Sequence, residues 1–245
     1  MPRIPDRTYR EIASELDNFD SYLSRLGVQP LDRLRGIISN VREIEKACSE
    51  GRARALETDP RLPELVWSLV EGAEFAEIFQ GIQGYDPAIV KKLMRKAMTG
   101  PLDPKLETAK TNIGRNTVFE LRLGAGFRRR CAAVTMGRVA DLSIDHAGFR
   151  LYVECKRPFG EHNIARRFEE GCAQLRARFN SDPHSNLVGM VAVSISKALK
   201  GEQMLVVDRE EDLQPSLSAE AERAYKLYCK SINQSNCQML WIGLA

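Results

Sequence analysis

The spacing of the apolar residues changes once along the chain, after Phe127, and this change limits the possible folds more than any other feature. Before it, apolar residues recur at every third or fourth position, which is the spacing of one face of an α-helix. After it come short apolar runs of the length and composition of β-strands. The chain is therefore expected to fold as a group of helices followed by a region built on a sheet.

The first hundred residues are predicted to be helical throughout. A first apolar seam consists of Tyr9, Ile12, Leu16, Phe19, Leu23 and Leu26. Gly27 and Pro30 interrupt this seam, and a second one runs from Leu34 through Ile38 to Val41, so a helical hairpin is expected. Both seams resemble surfaces through which helices pair, and we expect them to mediate self-association or to bind a partner protein. The alternative is that both are buried inside a monomeric bundle.

Further helices are predicted before the change in spacing. One is expected at about 63–79, from its apolar spacing. Asp86-Pro87 and Asp103-Pro104 each place an N-cap acid before a proline at the first helical position, so each is expected to open a helix. These boundaries give an all-α domain at 1–102 and an α/β domain at 103–245.

The second region is predicted to be a mixed sheet flanked by helices. Strands are expected at 128–136, 139–145 and 149–156, with a tight connection between the last two, then an amphipathic helix at about 161–180 and an apolar strand at 186–195. That last run does not alternate with polar residues, which suits a strand covered on both faces. Strands near 204–208 and 237–244, with a helix at 216–231 between them, are expected to complete the domain.

Two of these strands carry charged residues in otherwise apolar surroundings. The stretch RVADLSIDHAGFRLYVECKRP places Asp141 in one strand and Glu154 and Lys156 in the next. Side chains of a strand alternate between its faces, so Glu154 and Lys156 point the same way. If the two strands pair antiparallel through their short connection, Asp141 is expected to join them on one patch of the sheet.

Two converging carboxylates repel each other unless a cation neutralises them. Magnesium is the simplest candidate, because it prefers oxygen ligands and usually takes one or two protein carboxylates with several waters. Such an ion can polarise a phosphoryl oxygen and lower the pKa of water for attack on phosphorus. A neighbouring lysine can orient that water or offset charge on the phosphate. The pattern therefore indicates phosphodiester hydrolysis.

The arrangement of Asp141, twelve intervening residues and then Glu154-Cys155-Lys156 at the end of a strand resembles the PD-(D/E)XK nuclease superfamily. The resemblance implies a restriction-endonuclease-like core of helix, three strands, helix and strand. It also implies that Asp141 and Glu154 hold Mg²⁺, for which Mn²⁺ can substitute, and that Lys156 is catalytic. Ala140 stands where the superfamily name has proline. The segment AQLRARF is similar to the glutamine-containing helix of RecB-like members, although its phenylalanine lies one position later.

The same resemblance implies an auxiliary metal ligand, Glu120, from the helix before the first strand. On a helical wheel Glu120 falls with Leu106, Ala109, Ile113 and Gly124, which predicts that it faces inward. An ion pair of Glu120 with Arg138 or Lys156 is the alternative. A salt-bridge network is likewise the alternative for Asp141 and Glu154.

Nucleic-acid contacts are expected from the helix at 161–180. Its arginines, Arg166, Arg167, Arg176 and Arg178, are by default a solvated face, with phosphate contact as the alternative. Arg167 and Gln174 lie seven residues apart beside the apolar stripe, so they could border the active face. With Arg138, they are the candidate nucleic-acid-binding residues.

The predicted function is magnesium-dependent hydrolysis of nucleic acid, with a DNA endonuclease favoured. A non-catalytic nucleic-acid-binding or scaffold subunit that keeps the fold is the alternative. The six cysteines include no CxxC pair, which suits the reducing cytoplasm, and the three histidines lack zinc-site spacing. No apolar run has membrane-spanning length, so no membrane association is expected. Phage defence, restriction and repair all fit, and analogy favours defence.

Overall fold

The structure is a computed structural model that describes residues 8–130, 133–137 and 139–194, together with positions 197, 218, 219, 222 and 226. The chain divides into two compact units, Met1–Gly126 and Phe127–Ala245, which we call the helical unit and the sheet unit. The strands predicted at 204–208 and 237–244, and most of the helix predicted at 216–231, lie outside the described residues.

The helical unit confirms the helical prediction for the first part of the chain. Its helices are α1 Tyr9–Arg25, α2 Asp32–Ser49, α3 Ala53–Glu57, α4 Leu62–Ile82, α5 Pro87–Ala97 and α6 Ile113–Arg128. Thr8 begins α1 with a capping box, in which its hydroxyl accepts from the Glu11 amide while the Glu11 carboxylate accepts from the Thr8 amide. The short helix α3 was not predicted. No helix among the described residues is long and apolar enough to cross a membrane.

Both predicted seams are buried inside the helical unit. Leu16, Phe19 and Leu23 of α1 are at most 1% exposed, and the α2 seam from Leu34 to Val41 is buried as well. The Phe19 ring packs against Phe75 of α4, with 6.0 Å between the ring centroids. These residues therefore pack as the monomeric-bundle alternative expects, and little of either seam is left for a partner.

One of the two proline-based helix predictions is confirmed and the other is wrong. Asp86 caps α5, its carboxylate accepting from the Ala88 amide. Asp103 accepts from the Lys105 amide in the same way, but only a single 3-10 turn, Pro104–Leu106, follows. The Thr111 hydroxyl then accepts from the Thr108 amide, and this local turn replaces helical hydrogen bonds until α6 begins at Ile113.

The helical wheel that placed Glu120 inward is therefore wrong, because it assumed one continuous helix. Leu106 and Ile113, two of its supposedly inward positions, are 67% and 53% exposed. Glu120 lies in α6 and is half-buried. Its side chain does not belong to an apolar face of the kind that the wheel described.

Helix α6 packs within the helical unit, against α4. Gly81 of α4 lies so close to Ala125 of α6 that no side chain could replace its hydrogen. Arg122 of α6 donates to Glu77 over 2.9 Å and to Glu74 over 2.8 Å, and both acids belong to α4. The boundary between the compact units accordingly falls after Gly126, whereas the sequence analysis places a domain boundary after residue 102.

A buried group of charged side chains ties four parts of the helical unit together. We call it the helical charge network, and it consists of Arg33, Glu71, Glu107 and Arg115, all at most 8% exposed. Arg33 Nε donates to Glu71 Oε2 over 3.0 Å, and Arg115 Nε donates to Glu71 Oε1. The two guanidinium groups also donate to the carbonyl oxygens of Ala97, Thr99 and Leu102 at 2.9–3.1 Å.

Among its described residues, the sheet unit contains a four-stranded sheet, which confirms the predicted mixed sheet. Its strands are β1 Ala133–Met136, β2 Leu142–His146, β3 Phe149–Lys156 and β4 Leu187–Val193, in the order β1-β2-β3-β4. The first three are antiparallel and β4 runs parallel to β3. The strand predicted at 128–136 begins only at Ala133, because α6 continues to Arg128. The β2–β3 turn has positive φ at Ala147 and Gly148, as the tightest hairpin turns require.

Helix α7, Ile164–Ser181, connects β3 to β4 and covers one face of the sheet. Its apolar stripe packs in a cluster made of Ala140, Tyr152, Ile164, Phe168, Cys172, Leu175, Val191 and Val193. Two glycines let the helix and sheet approach closely. A methyl group on Gly171 of α7 would lie 2.8 Å from the Val191 side chain, and one on Gly189 of β4 would lie 2.8 Å from the Phe179 ring.

Candidate active site

Three of the predicted site residues come together at the end of β3. Lys156 Nζ lies 3.2 Å from Glu154 Oε2 and 4.0 Å from Asp141 Oδ2. Glu154 is 1% exposed, whereas the Asp141 and Lys156 side chains are 29% and 12% exposed. The convergence predicted from strand alternation is therefore present, and the site lies at the margin of the core.

The hairpin register explains why Asp141 reaches the other two residues. Leu142 pairs with Val153 across β2 and β3, which sets the preceding Asp141 beside the end of β3. Asp141 was predicted within a strand but lies in a bend just before β2. Its Oδ2 accepts a 2.7 Å hydrogen bond from the Cys155 amide, which fixes the carboxylate against β3. The backbone thus positions Asp141.

A fourth side chain belongs to the site and was not predicted there. Arg178 of α7 donates from Nε to Glu154 Oε1 over 2.7 Å, and its side chain is 25% exposed. The solvated face that is the default prediction for Arg178 is therefore wrong. The helical spacing does contain a signal, because Arg178 follows the buried Leu175 by three residues and Gly171 by seven, and so lies at the edge of the buried stripe.

The structure describes three of the four remaining candidate residues. Arg167 donates to Glu170 Oε2 over 2.8 Å, and its side chain is 45% exposed. Gln174 is exposed on α7, one turn before Arg178. Arg138 lies outside the described residues, and Glu120 lies in α6 of the helical unit. Within the described part of the chain, no three or more His, Cys, Asp or Glu side chains form a group that could hold a metal ion.

The surroundings of Asp141 disfavour its charged form. Burial raises the pKa of this carboxyl group above its ordinary value, and the negative charge of Glu154 raises it further. The Cys155 amide, Lys156 and Arg178 act in the opposite direction, and the raising effects are larger. An additional cation beside Asp141 would therefore be favourable.

The donor set fits a magnesium ion held by two protein carboxylates. Among the described residues, Asp141 Oδ1 accepts no hydrogen bond, so it can serve as a ligand. Both Glu154 oxygens are already bound to cations, Oε1 to Arg178 and Oε2 to Lys156. Magnesium takes one or two carboxylates and completes its six ligands with water, so Asp141 and Glu154 suffice in kind and number.

Asp141, Glu154, Lys156 and Arg178 form what we call the sheet charge cluster. Two acids and two bases balance in formal charge, which allows the cluster to be stable without a metal ion. Comparisons with known proteins add no assignment, since no protein-family model, no curated protein and no solved structure matches the chain. The chemistry of the site therefore has to be derived from these four side chains.

Proposed function

We propose that the protein is a metal-dependent nuclease that hydrolyses phosphodiester bonds of nucleic acid, with DNA as the favoured polymer. The observation that supports this most directly is the convergence of Asp141 and Glu154 on Lys156 at the end of β3. The same three residues carry the resemblance to the PD-(D/E)XK superfamily, and the β1-β2-β3-α7-β4 order is the order that the resemblance implies.

In this proposal Asp141 and Glu154 hold magnesium or manganese. The bound ion would polarise a phosphoryl oxygen and lower the pKa of the attacking water. Lys156 is fixed for a role beside them, because Gly171 of α7 lies against its side chain, so that a methyl group there would be 3.4 Å from Lys156 Cε. Its ammonium group orients the water or offsets charge that develops on the phosphate.

Phosphate contacts are proposed for Arg167 and Gln174, which lie on the exposed part of α7. Arg167 must exchange its bond to Glu170 for one to phosphate, which costs little because both side chains are exposed. We also propose Arg138 as a contact and Glu120 as an auxiliary ligand, on the resemblance alone. Defence against phage remains the favoured setting, by analogy.

The test is cleavage of linear, circular and single-stranded DNA and of RNA, with magnesium and with EDTA. We expect magnesium-dependent cleavage by the parent and a loss of about 100-fold or more in Asp141→Asn and Lys156→Ala. Asp145→Asn is the matched control, since Asp145 lies in the same hairpin but bonds to Arg150, and it should cut like the parent. Equal cleavage by the parent and both site variants would remove the assignment.

The alternative is a non-catalytic nucleic-acid-binding or scaffold subunit. One observation favours it, namely that Lys156 and Arg178 already occupy both oxygens of Glu154, as in a structural salt-bridge network. Calorimetric titration with magnesium and manganese separates the two functions. A nuclease must bind one of these ions, whereas a scaffold needs neither.

A further inference from the structure

Arg178 is bound to the proposed metal ligand Glu154 but comes from a different element. Its Nε donates to Glu154 Oε1 over 2.7 Å from the last turn of α7. In the part of the chain that the structure describes, Glu154 is the one carboxylate to which the Arg178 side chain donates. Arg178 therefore acts through Glu154 and not through the backbone of its neighbours.

A divalent cation and Arg178 would compete for the same carboxylate, Glu154. Glu154 is 1% exposed and both of its oxygens hold a cation, so no carboxylate lone pair points to open solvent. A metal ion that binds either oxygen places its positive charge beside the cation already there, and their repulsion weakens that bond. In this exchange the carboxylate loses a partner with one positive charge and gains a partner with two.

Of the two cations, Arg178 is the one placed to leave. Lys156 lies 4.0 Å from Asp141 Oδ2 and 12% of its side chain is exposed, so it stays between the carboxylates. The Arg178 side chain is 25% exposed and sits at the edge of the buried stripe, so its guanidinium group can turn into water by rotation of its own side chain. Neither the sheet nor α7 has to move.

We propose that Arg178 is a positioning residue that serves as an exchangeable counter-ion. It holds Glu154 in the metal-free protein and leaves that carboxylate when a divalent cation binds. This inference rests on the proposed function, because it takes Glu154 to be a metal ligand. It adds that Arg178 competes with the metal ion for Glu154, so that a residue of α7 partly sets the affinity for the metal.

The first measurement is the affinity for Mn²⁺ by calorimetry, in the full chain. Arg178→Gln keeps a hydrogen-bond donor but removes the charge, and it should bind Mn²⁺ about ten-fold more tightly, because a charge-assisted bond no longer has to break. Arg176→Gln is the matched control, since Arg176 is exposed two residues away on the same helix, and its affinity should equal that of the parent.

The second measurement is thermal unfolding of the same variants with and without Mn²⁺. Arg178→Gln should melt below the parent without metal, because Glu154 has lost a partner. The difference should shrink at saturating Mn²⁺, since the parent then no longer uses Arg178 in this way. A purely structural ion pair would lower the melting temperature equally under both conditions.

The outcomes separate this inference from the proposed function. If the parent binds Mn²⁺ and cuts nucleic acid, but Arg178→Gln binds Mn²⁺ no more tightly than the parent, the role of Arg178 is overturned. The proposed function then stands. Absence of Mn²⁺ binding in both proteins overturns the inference together with the proposed function. Tighter binding in Arg178→Gln, or binding gained only there, supports the exchange.

Discussion

Each unit of the protein brings two acidic and two basic side chains together, and the two groups differ in burial and in what else they bind. In the helical charge network, the arginines donate to three backbone carbonyl oxygens as well as to carboxylates. In the sheet charge cluster, the described side-chain donors of Lys156 and Arg178 reach carboxylates alone. The first group joins segments of backbone, and the second joins side chains to one another.

This difference bears on which group can take part in chemistry. A guanidinium group that satisfies carbonyl oxygens cannot leave without exposing unpaired backbone groups inside the core, which costs about 1–3 kcal/mol for each. The cations of the sheet cluster can be replaced by another cation without such a cost. Buried charge by itself is therefore a poor guide to a site, and the partners of the charged groups are a better one.

The largest effect is expected when the helical network loses its shared acid. Glu71→Gln leaves the buried Arg33 without its carboxylate and Arg115 with Glu107 alone, 3.8 Å away, and the free energy of unfolding should fall by about 3–5 kcal/mol. Urea denaturation measures the change as a lower midpoint at a similar slope. Glu77→Gln is the control, because Arg122 keeps Glu74 and lies nearer the surface, and its loss should be much smaller. Equal losses would contradict the special role of Glu71.

A smaller loss is expected at the corresponding acid of the sheet unit. Glu154→Gln in metal-free protein should reduce the free energy of unfolding by about 1–3 kcal/mol, because Lys156 can turn to Asp141 and Arg178 to water. Glu154 is as buried as Glu71, so burial alone would predict equal effects. Urea denaturation of the two variants side by side measures this difference. A loss of stability in Glu154→Gln as large as that in Glu71→Gln would show that the two groups do not differ in this way.

Asp141→Asn is expected to change stability by less than about 1 kcal/mol, and in the stabilising direction. The pKa of Asp141 is raised by burial and by Glu154, which means that folding disfavours its charge. Asparagine keeps an oxygen for the Cys155 amide and removes that charge. Thermal unfolding without metal measures whether Asp141→Asn raises or lowers the melting temperature. A clearly lower melting temperature would show that the Asp141 charge stabilises the fold, as the Glu71 charge does.

The smallest effect concerns Asp182, which follows α7 and binds β3. The Tyr152 hydroxyl, which donates to its carboxylate, is the largest cause of a lowered Asp182 pKa, and the His184 amide adds to it. A lowered pKa in the folded state means stabilisation above the unfolded value of 3.8 that is lost as the pH falls below it. Asp182→Asn should therefore lower the melting temperature slightly at pH 7, and this difference should shrink as the pH falls below 3.8 towards the lowered folded-state pKa. A difference that does not change with pH would contradict this.

The parts of the site that the sequence predicts are those governed by local geometry. The sequence predicts that Asp141, Glu154 and Lys156 lie together, because strand side chains alternate with a period of two and a two-residue turn fixes the register. Helix seams and the Asp86-Pro87 cap are similarly local, which is why the sequence predicts α1, α2, α4 and α5. The sequence alone does not distinguish seams that are buried inside one unit from seams that pair with a partner protein.

The parts that sequence reasoning missed depend on contacts between distant segments. Arg178 reaches Glu154 because α7 lies close to the sheet, where Gly171 leaves room for Val191. The spacing of apolar residues along a helix does not predict how closely the helix packs on a sheet. The predicted inward position of Glu120 is wrong for a different reason. The apolar spacing predicts one continuous helix, but side-chain hydrogen bonds at Thr108 and Thr111 interrupt it.

The bond between Glu154 and Arg178 also has a consequence for how the gene can change over time. Either residue without the other leaves a charge uncompensated at the edge of the core, so a first substitution is deleterious and a second one restores the balance. Descendants that keep Glu154 as a metal ligand are therefore expected to keep Arg178, and descendants that lose that role are expected to replace both residues. An alignment of relatives should show this correlated variation even where overall identity is low.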